Sequence, residues 1–356
     1  MSELDALGVN ITRLVSDSRK VQSGDTFVAY PGEQADGRRF IAQAIEAGAN
    51  AVIWEARDFK WDSEWKVPNL GMRDLRQQAG EIADHVYGQP SQKLRMVGVT
   101  GTNGKTSISH WLARAFSALG RKSAVIGTLG NGYPGALQAT QNTTPDALLL
   151  HGLLAQYVRE EAQTAVMEVS SHALTQGRVS GVHYDVALLT NLTRDHLDYH
   201  GDMQSYAAAK RRLFDWASLK YAVLNLDDAF GAELAEQLQD STPEVIGYGL
   251  NTESLAFAER LGIRMVYGDL TQMDAQGMTL RLHTSWGAES LQSRLLGKFN
   301  ASNLLGALAV LLVSGIDLED AVLELGAQKA VPGRMQTLGC KDGPTVVVDY
   351  AHTPDA

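Results

Sequence analysis

The stretch Val97-Gly98-Val99-Thr100-Gly101-Thr102-Asn103-Gly104-Lys105-Thr106-Ser107 decides how this sequence folds. It follows an apolar run that is typical of a strand, and it precedes apolar residues at helical spacing: Ile108, Trp111, Leu112, Ala115, Phe116 and Leu119. Glycines in such a turn let backbone amides approach phosphate oxygens at the positive end of the helix. Lys105 would reach the outer phosphates, and the Thr106 hydroxyl would ligate Mg²⁺. The stretch therefore predicts a site for ATP or GTP.

The loop departs from the strict nucleotide-binding pattern at one position. Val99 stands five residues before Gly104, where that pattern has a glycine, and Gly101 lies closer in. An ordinary glycine-rich turn is the alternative, although it does not require the order Gly-Lys-Thr at the helix start. The loop alone also fits a kinase, a switch-type nucleotidase or a motor, so other segments must decide the function.

Outward from the loop, short apolar strands alternate with helical segments. We expect helices near residues 40–47 and 303–313. Strands are expected near residues 25–29, 94–99, 124–126, 165–169, 186–191, 221–225 and 345–349. This alternation predicts an α/β fold with a mostly parallel sheet covered by helices.

The length of 356 residues allows two to three domains at roughly 150 residues each. Turn clusters at residues 87–91 and 331–333 predict domains over residues 1–89, 90–330 and 331–356. The last segment holds one expected strand, which cannot bury its faces alone. We therefore expect the third domain to be truncated.

Composition excludes several classes of protein. Thirty-one basic and forty-one acidic residues give a net charge of −10, which opposes binding to nucleic acid and anionic membranes. The longest apolar run, residues 304–313, is shorter than the roughly 20 residues that span a bilayer, so no membrane insertion is expected. The single cysteine, Cys340, has no internal disulfide partner, and the acidic amino terminus lacks a signal segment. We expect a monomer in the reducing cytoplasm.

Five segments, in their order and spacing, resemble the Mur ligase family. They are Gly101-Thr102-Asn103-Gly104-Lys105-Thr106, Asn142-Thr143-Thr144-Pro145, Glu168-Val169-Ser170-Ser171-His172, Asn191-Leu192-Thr193-Arg194-Asp195-His196-Leu197-Asp198 and Ala208-Ala209-Lys210. Residues 16–19 and 34–39 are similar to the family's uridine-nucleotide domain. The resemblance runs from about residue 16 to the end of the chain.

The resemblance implies three domains: a small amino-terminal α/β domain for a uridine nucleotide, a central P-loop ATPase domain, and a truncated dinucleotide-binding-like domain. It implies ATP-dependent amide formation through an acyl phosphate, in peptidoglycan precursor synthesis. The most similar members add meso-2,6-diaminopimelate to UDP-N-acetylmuramoyl-L-alanyl-D-glutamate. Two alternatives stay open, the same ligation with L-lysine and a non-catalytic nucleotide-binding fragment. The motif that separates diaminopimelate from lysine is expected beyond Ala356, and the chain as given is expected to ligate weakly or not at all.

The resemblance also assigns residues to ATP and magnesium. ATP would be held by Gly101, Thr102, Asn103, Gly104, Lys105, Thr106, Ser107, Asn300, Asn303 and Arg334. Mg²⁺ would be held by Thr106, Glu168, His196 and Lys210, with Lys210 carbamylated by CO₂ and with Lys105, Lys210 and His196 as the catalytic set. Arg211 and Arg212 would favour the neutral Lys210 amine that carbamylation requires. From the residues alone, Glu168 could cap a turn, His196 could be a solvated loop residue, and Lys210 could lie on the basic face of a plain helix.

A second implied set binds the uridine-linked substrate. It comprises Ser16, Ser18, Glu33, Gln34, Ala35, Asn142, Thr143, Thr144, Ser170, Gln176 and Arg178. Arg178 could form a forked pair with a carboxylate, whereas Glu33 is an acidic choice beside a diphosphate. Without the family, the Thr-Thr-Pro turn would be a helix start, Gln176 and Arg178 would be solvated, and Asn303 would be a helix cap.

Overall fold

A computed structural model describes residues 2–33, 35–338 and 346–351 of the chain. The α-helices are α1 (Ser2–Asp5), α2 (Ile41–Glu46), α3 (Leu75–Val86), α4 (Lys105–Ala118), α5 (Ala147–Arg159), α6 (Ser171–Thr175), α7 (Leu197–His200), α8 (Met203–Arg211), α9 (Ala229–Gln237), α10 (Thr252–Leu261), α11 (Lys298–Val313) and α12 (Leu318–Gly326). Short 3₁₀ turns cover Ser18–Lys20, Gly37–Phe40 and Pro90–Lys93.

The strands fall into three sheets. They are β1 (Leu14–Val15), β2 (Thr26–Ala29), β3 (Ala51–Glu55), β4 (Asn69–Met72), β5 (Arg95–Thr100), β6 (Ser123–Gly127), β7 (Gly130–Tyr133), β8 (Ala136–Gln138), β9 (Thr164–Glu168), β10 (Val186–Leu189), β11 (Tyr221–Asn225), β12 (Glu244–Gly249), β13 (Arg264–Asp274), β14 (Gly277–Thr284), β15 (Gly287–Ser293), β16 (Gln336–Leu338) and β17 (Val346–Val348).

Residue packing divides the chain into two compact units. The first unit comprises Met1–Leu94, Pro145–Glu161 and Ala173–Val182, and the second comprises Arg95–Thr144, Ala162–His172 and His183–Ala356. The domain boundaries predicted after residues 89 and 330 stay predictions.

The first unit is built on a parallel sheet in the order β1-β2-β3-β4. Successive side chains of a strand point to opposite faces. Val28 and Ile53 accordingly pack with α3, whereas Phe27 and Val52 pack with α2. Each face of the sheet is therefore covered, as a parallel sheet requires.

The second unit is built on a large sheet in the order β15-β14-β13-β12-β11-β10-β5-β9-β6-β7-β8. The strands from β13 to β6 in this order are parallel, and antiparallel hairpins continue the sheet at both edges. Helix α11 is buried along most of its length because its side chains are apolar all round. The carboxyl ends of the parallel strands, where ligands collect in α/β sheets, lie at one edge.

The structure confirms the α/β fold class and the mostly parallel sheet. The hairpins at the two sheet edges were not predicted. Helix α11 begins at Lys298, five residues before its expected start, so Asn303 lies inside it and does not cap it. Strand β17 spans residues 346–348 and so lies within the expected strand near 345–349, of which residue 345 lies outside the described residues.

Two further sequence observations concern the membrane and the cysteine. Among the described residues, no helix is both long and apolar enough to cross a bilayer. Cys340 lies outside the described residues.

Candidate functional site

The glycine-rich loop joins β5 to α4 in the second unit. Gly101 and Gly104 adopt φ values of +141° and +87°, which a side chain would strain. A Cβ at Gly101 would also collide with the Thr190 hydroxyl. The half-buried Lys105 folds back over the loop, and its Nζ donates to the Gly101 and Thr102 carbonyls at 2.8 and 2.7 Å. Burial lowers the pKa of Lys105, and Glu168 and Asp195 oppose that shift.

The segment after β10 holds this loop in shape. Asn191 accepts hydrogen bonds from the amides of Thr102 and Asn103, each at 2.9 Å, through its carbonyl and side-chain oxygens respectively. The Thr190 hydroxyl donates to the Asn103 carbonyl at 2.5 Å. The segment after the neighbouring strand therefore holds the loop in a defined conformation.

Glu168 ends β9 and is fully buried. Its Oε2 accepts from the hydroxyls of Thr106, at 2.9 Å, and Thr128, at 3.1 Å. Its Oε1 accepts from the Thr128 amide at 2.7 Å. Burial raises the pKa of Glu168, while Lys105 and these hydrogen bonds counteract the rise. The carboxylate thus contacts the nucleotide loop and Thr128. A carboxylate that capped the turn after β9 would instead accept from the amides of that turn.

Lys210 lies near the end of α8 and is 1% exposed. Its Nζ donates to the Gly101 carbonyl at 2.8 Å and lies 4.4 Å from the centre of the Tyr206 ring. Burial and then Lys105 lower the pKa of Lys210 well below its usual value. The Arg211 guanidinium pairs with Asp215 and Gln237, and the expected effect of Arg211 and Arg212 on Lys210 stays a prediction.

His196 belongs to a cluster of aromatic rings in the second unit. Its side chain is 42% exposed, and its Nε2 lies 3.4 Å from Asp195 Oδ2. The His172 and Tyr206 rings lie 4.8 and 6.2 Å from it, between ring centres. Tyr199 and His200 complete the cluster around His172. Of these four neighbours, only His172 lies in a segment that resembles the family, and none of the four was given a role from the sequence, since the ring contacts depend on how α7 and α8 pack.

The oxygen donors around Glu168 suit magnesium. A carboxylate and the Thr106 hydroxyl are hard ligands, which Mg²⁺ prefers. In the part of the chain that the structure describes, no three His, Cys, Asp or Glu residues lie close enough to hold a metal. Mg²⁺ commonly binds one or two carboxylates and completes its shell with water and substrate phosphates. The residues present fit such a site, whereas the unmodified Lys210 amine is a donor and does not ligate a cation.

The loop before α5 brings part of the expected substrate set next to Glu168. The Thr144 hydroxyl donates to the Glu168 carbonyl at 2.8 Å and accepts from the Ser170 amide at 3.2 Å. Thr143 and Thr128 hydroxyls lie 3.0 Å apart, and Asn142 is exposed. Helix α5 is capped by Asp146 and not by a threonine. Gln176 and Arg178 belong to the first unit.

The expected adenine-side asparagines both lie in α11. Asn300 donates to the Leu296 carbonyl at 2.8 Å, and Asn303 donates to Asn300 at 3.4 Å. A Cβ at Gly104 would lie 2.5 Å from Asn303 Oδ1, so Asn303 reaches the nucleotide loop. Arg334 stacks over the Tyr350 ring at 5.0 Å.

The expected uridine-side residues lie in the first unit. The buried Ser18 hydroxyl donates to Gln43 at 2.9 Å, and Glu33 pairs with Arg76 at 3.2 Å. The Ala35 carbonyl accepts from the Gly32 amide, whereas Gln34 lies outside the described residues. Ser16 lines a cavity of about 290 Å³, together with Asp17, Lys20, Asp146, Gln156 and Arg159.

Two protein-family models match the chain and together include most of these residues. The model of the Mur ligase middle domain matches residues 99–311, and that of the Mur ligase family catalytic domain matches residues 10–87. The chain belongs to the Mur ligase family. The first match covers the nucleotide loop, Glu168, His196 and Lys210, and the second covers the uridine-side residues.

Several relatives of the chain share one protein name. The chain is 50% identical over 353 residues to the UDP-N-acetylmuramoyl-L-alanyl-D-glutamate--2,6-diaminopimelate ligase of Nitrosomonas europaea, covering 99% of this chain and 68% of that protein. It is 49% identical to the enzyme of the same name from Chromobacterium violaceum, covering 99% of this chain and 70% of that protein.

The fold of the chain is also similar to the folds of solved ligase structures. A structure of a ligase with the same name has a TM-score of 0.80 and 37% identity, with 97% of this chain and 68% of that chain covered. A MurF ligase from Thermotoga maritima in complex with ADP, with a TM-score of 0.67 and 20% identity over 99% of this chain and 73% of that chain, supports the fold alone.

Proposed function

We propose that this Mur ligase adds meso-2,6-diaminopimelate to UDP-N-acetylmuramoyl-L-alanyl-D-glutamate, using ATP, in peptidoglycan precursor synthesis. The observation that carries the proposal is the buried Glu168, whose carboxylate accepts a hydrogen bond from Thr106 of the nucleotide loop and whose backbone carbonyl accepts one from Thr144 of the substrate loop. The names of relatives at 50 and 49% identity support the choice of substrate and amino acid.

The proposed reaction has two steps. The substrate carboxylate attacks the γ-phosphorus of ATP, and ADP leaves with the bridging oxygen. The amine of the amino acid then attacks the acyl phosphate and displaces inorganic phosphate, losing a proton. A carboxylate that approaches a triphosphate meets like-charge repulsion, so cationic groups must be in place before the attack.

This chain's residues would supply that charge locally. Lys105 would move from the loop carbonyls to the outer phosphates, and the amides at the start of α4 would bind phosphate oxygens. Asn300 and Asn303 would lie on the adenine side, and Arg334 would reach the nucleotide from its place beside Tyr350. These contributions are needed because the net charge of −10 repels an anionic ligand at longer range.

Magnesium and a carbamate would complete the site. Bound Mg²⁺ would neutralise phosphate charge during transfer, with Glu168 and Thr106 as its protein ligands and His196 as a candidate for a second ion. The lowered pKa of buried Lys210 favours the neutral amine that can add CO₂. Carbamylation would turn a hydrogen-bond donor into an anionic oxygen ligand.

The first unit would bind the uridine nucleotide through Ser18 and the loop at Glu33, Gln34 and Ala35, with Ser16 at the neighbouring cavity. Gln176 and Arg178 would bind the muramoyl peptide. Since ATP and uridine-linked precursors are intracellular metabolites, we place the reaction in the cytoplasm.

An acyl-phosphate assay tests the proposal. The full chain is incubated with ATP, Mg²⁺, UDP-muramoyl-dipeptide and hydroxylamine, which converts an acyl phosphate into a stable hydroxamate. We expect hydroxamate and ADP in equal amounts, only when the muramoyl substrate is present. Parallel reactions with meso-diaminopimelate or L-lysine in place of hydroxylamine measure tripeptide formation, which is expected to be weak or absent for this chain.

Two results would contradict the proposal. ADP formation that does not depend on the muramoyl substrate would indicate a nucleotidase. Binding of nucleotides without hydroxamate or tripeptide would indicate a non-catalytic fragment. Lys105→Ala is the matched negative control, because it removes the proposed phosphate contact.

Lys210 can be tested separately in the same assay. We expect Lys210→Ala to lower hydroxamate formation at least about 100-fold, because one metal ligand is lost. Added formate or acetate should restore part of the activity in Lys210→Ala and none in Lys105→Ala. Unchanged activity of Lys210→Ala would remove this residue from the site.

A further inference from the structure

Thr128 follows the last residue of β6 and lies outside every set of residues predicted from the sequence. Both of its polar groups point to one carboxylate, since its amide donates to Glu168 Oε1 at 2.7 Å and its hydroxyl to Oε2 at 3.1 Å. The preceding residue is Gly127, where a Cβ would collide with Oε1. The end of β6 therefore closes around Glu168 and leaves it little room to rotate.

The number of protons on each hydroxyl determines which group donates in these hydrogen bonds. A threonine hydroxyl has one proton to donate. The Thr128 proton is used on Glu168, so the Thr143 hydroxyl, 3.0 Å away, donates to Thr128. The Thr106 hydroxyl donates to the same Oε2 from the nucleotide loop at 2.9 Å. A continuous hydrogen-bonded chain thus runs from the substrate loop through Thr128 and Glu168 to the nucleotide loop.

We propose that Thr128 is a positioning residue that orients Glu168 toward the divalent cation and links cation affinity to occupation of the loop at residues 142–144. This inference rests on the proposed function, which makes Glu168 a magnesium ligand. Groups that hydrogen-bond a metal-ligating carboxylate fix its orientation, and their loss commonly weakens metal binding about 10–100-fold.

The link to the substrate loop follows from shared hydrogen bonds. A ligand that shifts Thr143 changes the partner of the Thr128 hydroxyl, and that hydroxyl is one of three donors to a fully buried carboxylate. Two sites that bias the same side chain have coupled affinities, and the coupling is reciprocal. The muramoyl substrate and Mg²⁺ should therefore alter each other's binding by the same factor.

The first measurement needs only Mg²⁺ and ADP. Calorimetric titration of Mg²⁺ into each variant with saturating ADP gives the cation affinity, and titration of ADP in EDTA gives the metal-free nucleotide affinity. Thr128→Val removes the hydroxyl but keeps the amide, Thr128→Ser keeps both, and Thr271→Val is a control at an exposed strand position.

We expect Thr128→Val to weaken Mg²⁺ binding about tenfold and to leave metal-free ADP binding unchanged. Thr128→Ser should stay within about twofold of the parent and Thr271→Val should equal it, by the same reasoning. A merely structural role would lower both affinities or neither. Equal Mg²⁺ affinity in Thr128→Val and the parent chain would overturn the proposal.

The second measurement adds saturating UDP-muramoyl-dipeptide. In the parent chain we expect Mg²⁺ affinity to change several-fold, and Thr128→Val or Thr143→Val should each remove most of this change. The double variant should lose no more than either single variant, because both remove the same bond. Additive losses would overturn the link between the loops. A parent chain that binds no uridine ligand would refute the proposed substrate. In that case, a weakened Mg²⁺ affinity in Thr128→Val would still support the role of Thr128 in orienting Glu168.

Discussion

Two lysine side chains donate to one backbone oxygen, the Gly101 carbonyl, from Lys105 and Lys210 at 2.8 Å each. Burial comes first among the causes that lower both pKa values, and Lys105 adds a like-charge contribution to Lys210. Such a pair disfavours two full positive charges without an anion nearby. Phosphate binding to Lys105 would relieve this repulsion, which gives the site a physical preference for an anionic ligand.

One contribution to acid lability can be assigned to a buried histidine in the first unit. His151 is fully buried, its Nε2 lies 2.9 Å from the Ser180 carbonyl, and its Nδ1 lies 3.5 Å from Asp84. Burial lowers the pKa of His151 from 6.5 to about 4. The unfolded chain therefore binds a proton between pH 6.5 and 4 that the folded chain does not, so stability falls as the pH drops through this window.

We expect His151→Gln to keep the donor to Ser180 and to remove this titration. The loss of unfolding free energy between pH 7 and 4, measured with urea, should be smaller than in the parent by about 3 kcal/mol. His85→Gln, at an exposed position of α3, is the matched control and should follow the parent. The assignment fails when both variants show the same pH dependence.

For single residues, the sequence predicts those roles that depend only on neighbours along the chain. The nucleotide loop and Lys105 could be predicted because strand, glycines, lysine and helix are adjacent in the chain. Thr128 could not be, since its contact with Glu168 joins residues 40 positions apart through the pairing of β6 with β9. The contacts of His172 and Tyr206 likewise require knowledge of how separate helices pack.

Among the helices and strands, α11 was predicted from a continuous apolar run and not from apolar residues at helical spacing. Its side chains from Leu304 to Leu311 are fully buried, and it packs with α4 and the strands from β10 to β13. An apolar run without a polar face predicts such a helix, and the expected core, 303–313, lies within it. Its first turn could not be predicted, because Lys298-Phe299-Asn300 carries no apolar pattern. The edge hairpins were missed for a related reason, since exposed strands alternate weakly.

Leu308→Ala tests how much this helix contributes. Leu308 is fully buried in α11, so truncation leaves a cavity and should lower the unfolding free energy by about 3 kcal/mol. Leu323→Ala, in α12, is the matched control because Leu323 is 69% exposed, and its effect should stay within about 0.5 kcal/mol. Urea denaturation at constant pH measures both. Similar losses in the two variants would contradict the burial of α11.

For the whole molecule, the two ligand sets belong to different units. The residues proposed for the uridine nucleotide at positions 16–35 lie in the first unit, and the nucleotide loop, Glu168 and Lys210 lie in the second. The chain spans 68% of its Nitrosomonas europaea relative, and the matched portion includes all of these residues. The sequence predicts that the two ligands bind to different parts of the chain, because each proposed ligand set is contiguous with its own motif. It could not predict that residues 145–161 and 173–182 return to the first unit.

Hydrogen exchange resolved along the chain tests that division. UDP alone should slow amide exchange in peptides around residues 14–46, and Mg-ADP alone should slow it in peptides around 98–112 and 164–172. At a hundred times the dissociation constant, a ligand stabilises its bound form by about 2.7 kcal/mol, enough for at least tenfold slower exchange at amides that open with the site. Lys105→Ala should abolish the Mg-ADP effect and leave the UDP effect intact, because Lys105 contacts only the nucleotide loop among the two ligand sets. Protection by UDP centred on the nucleotide loop, or its loss in Lys105→Ala, would show that the uridine nucleotide binds at the ATP loop and that the residues assigned to it in the first unit are wrong.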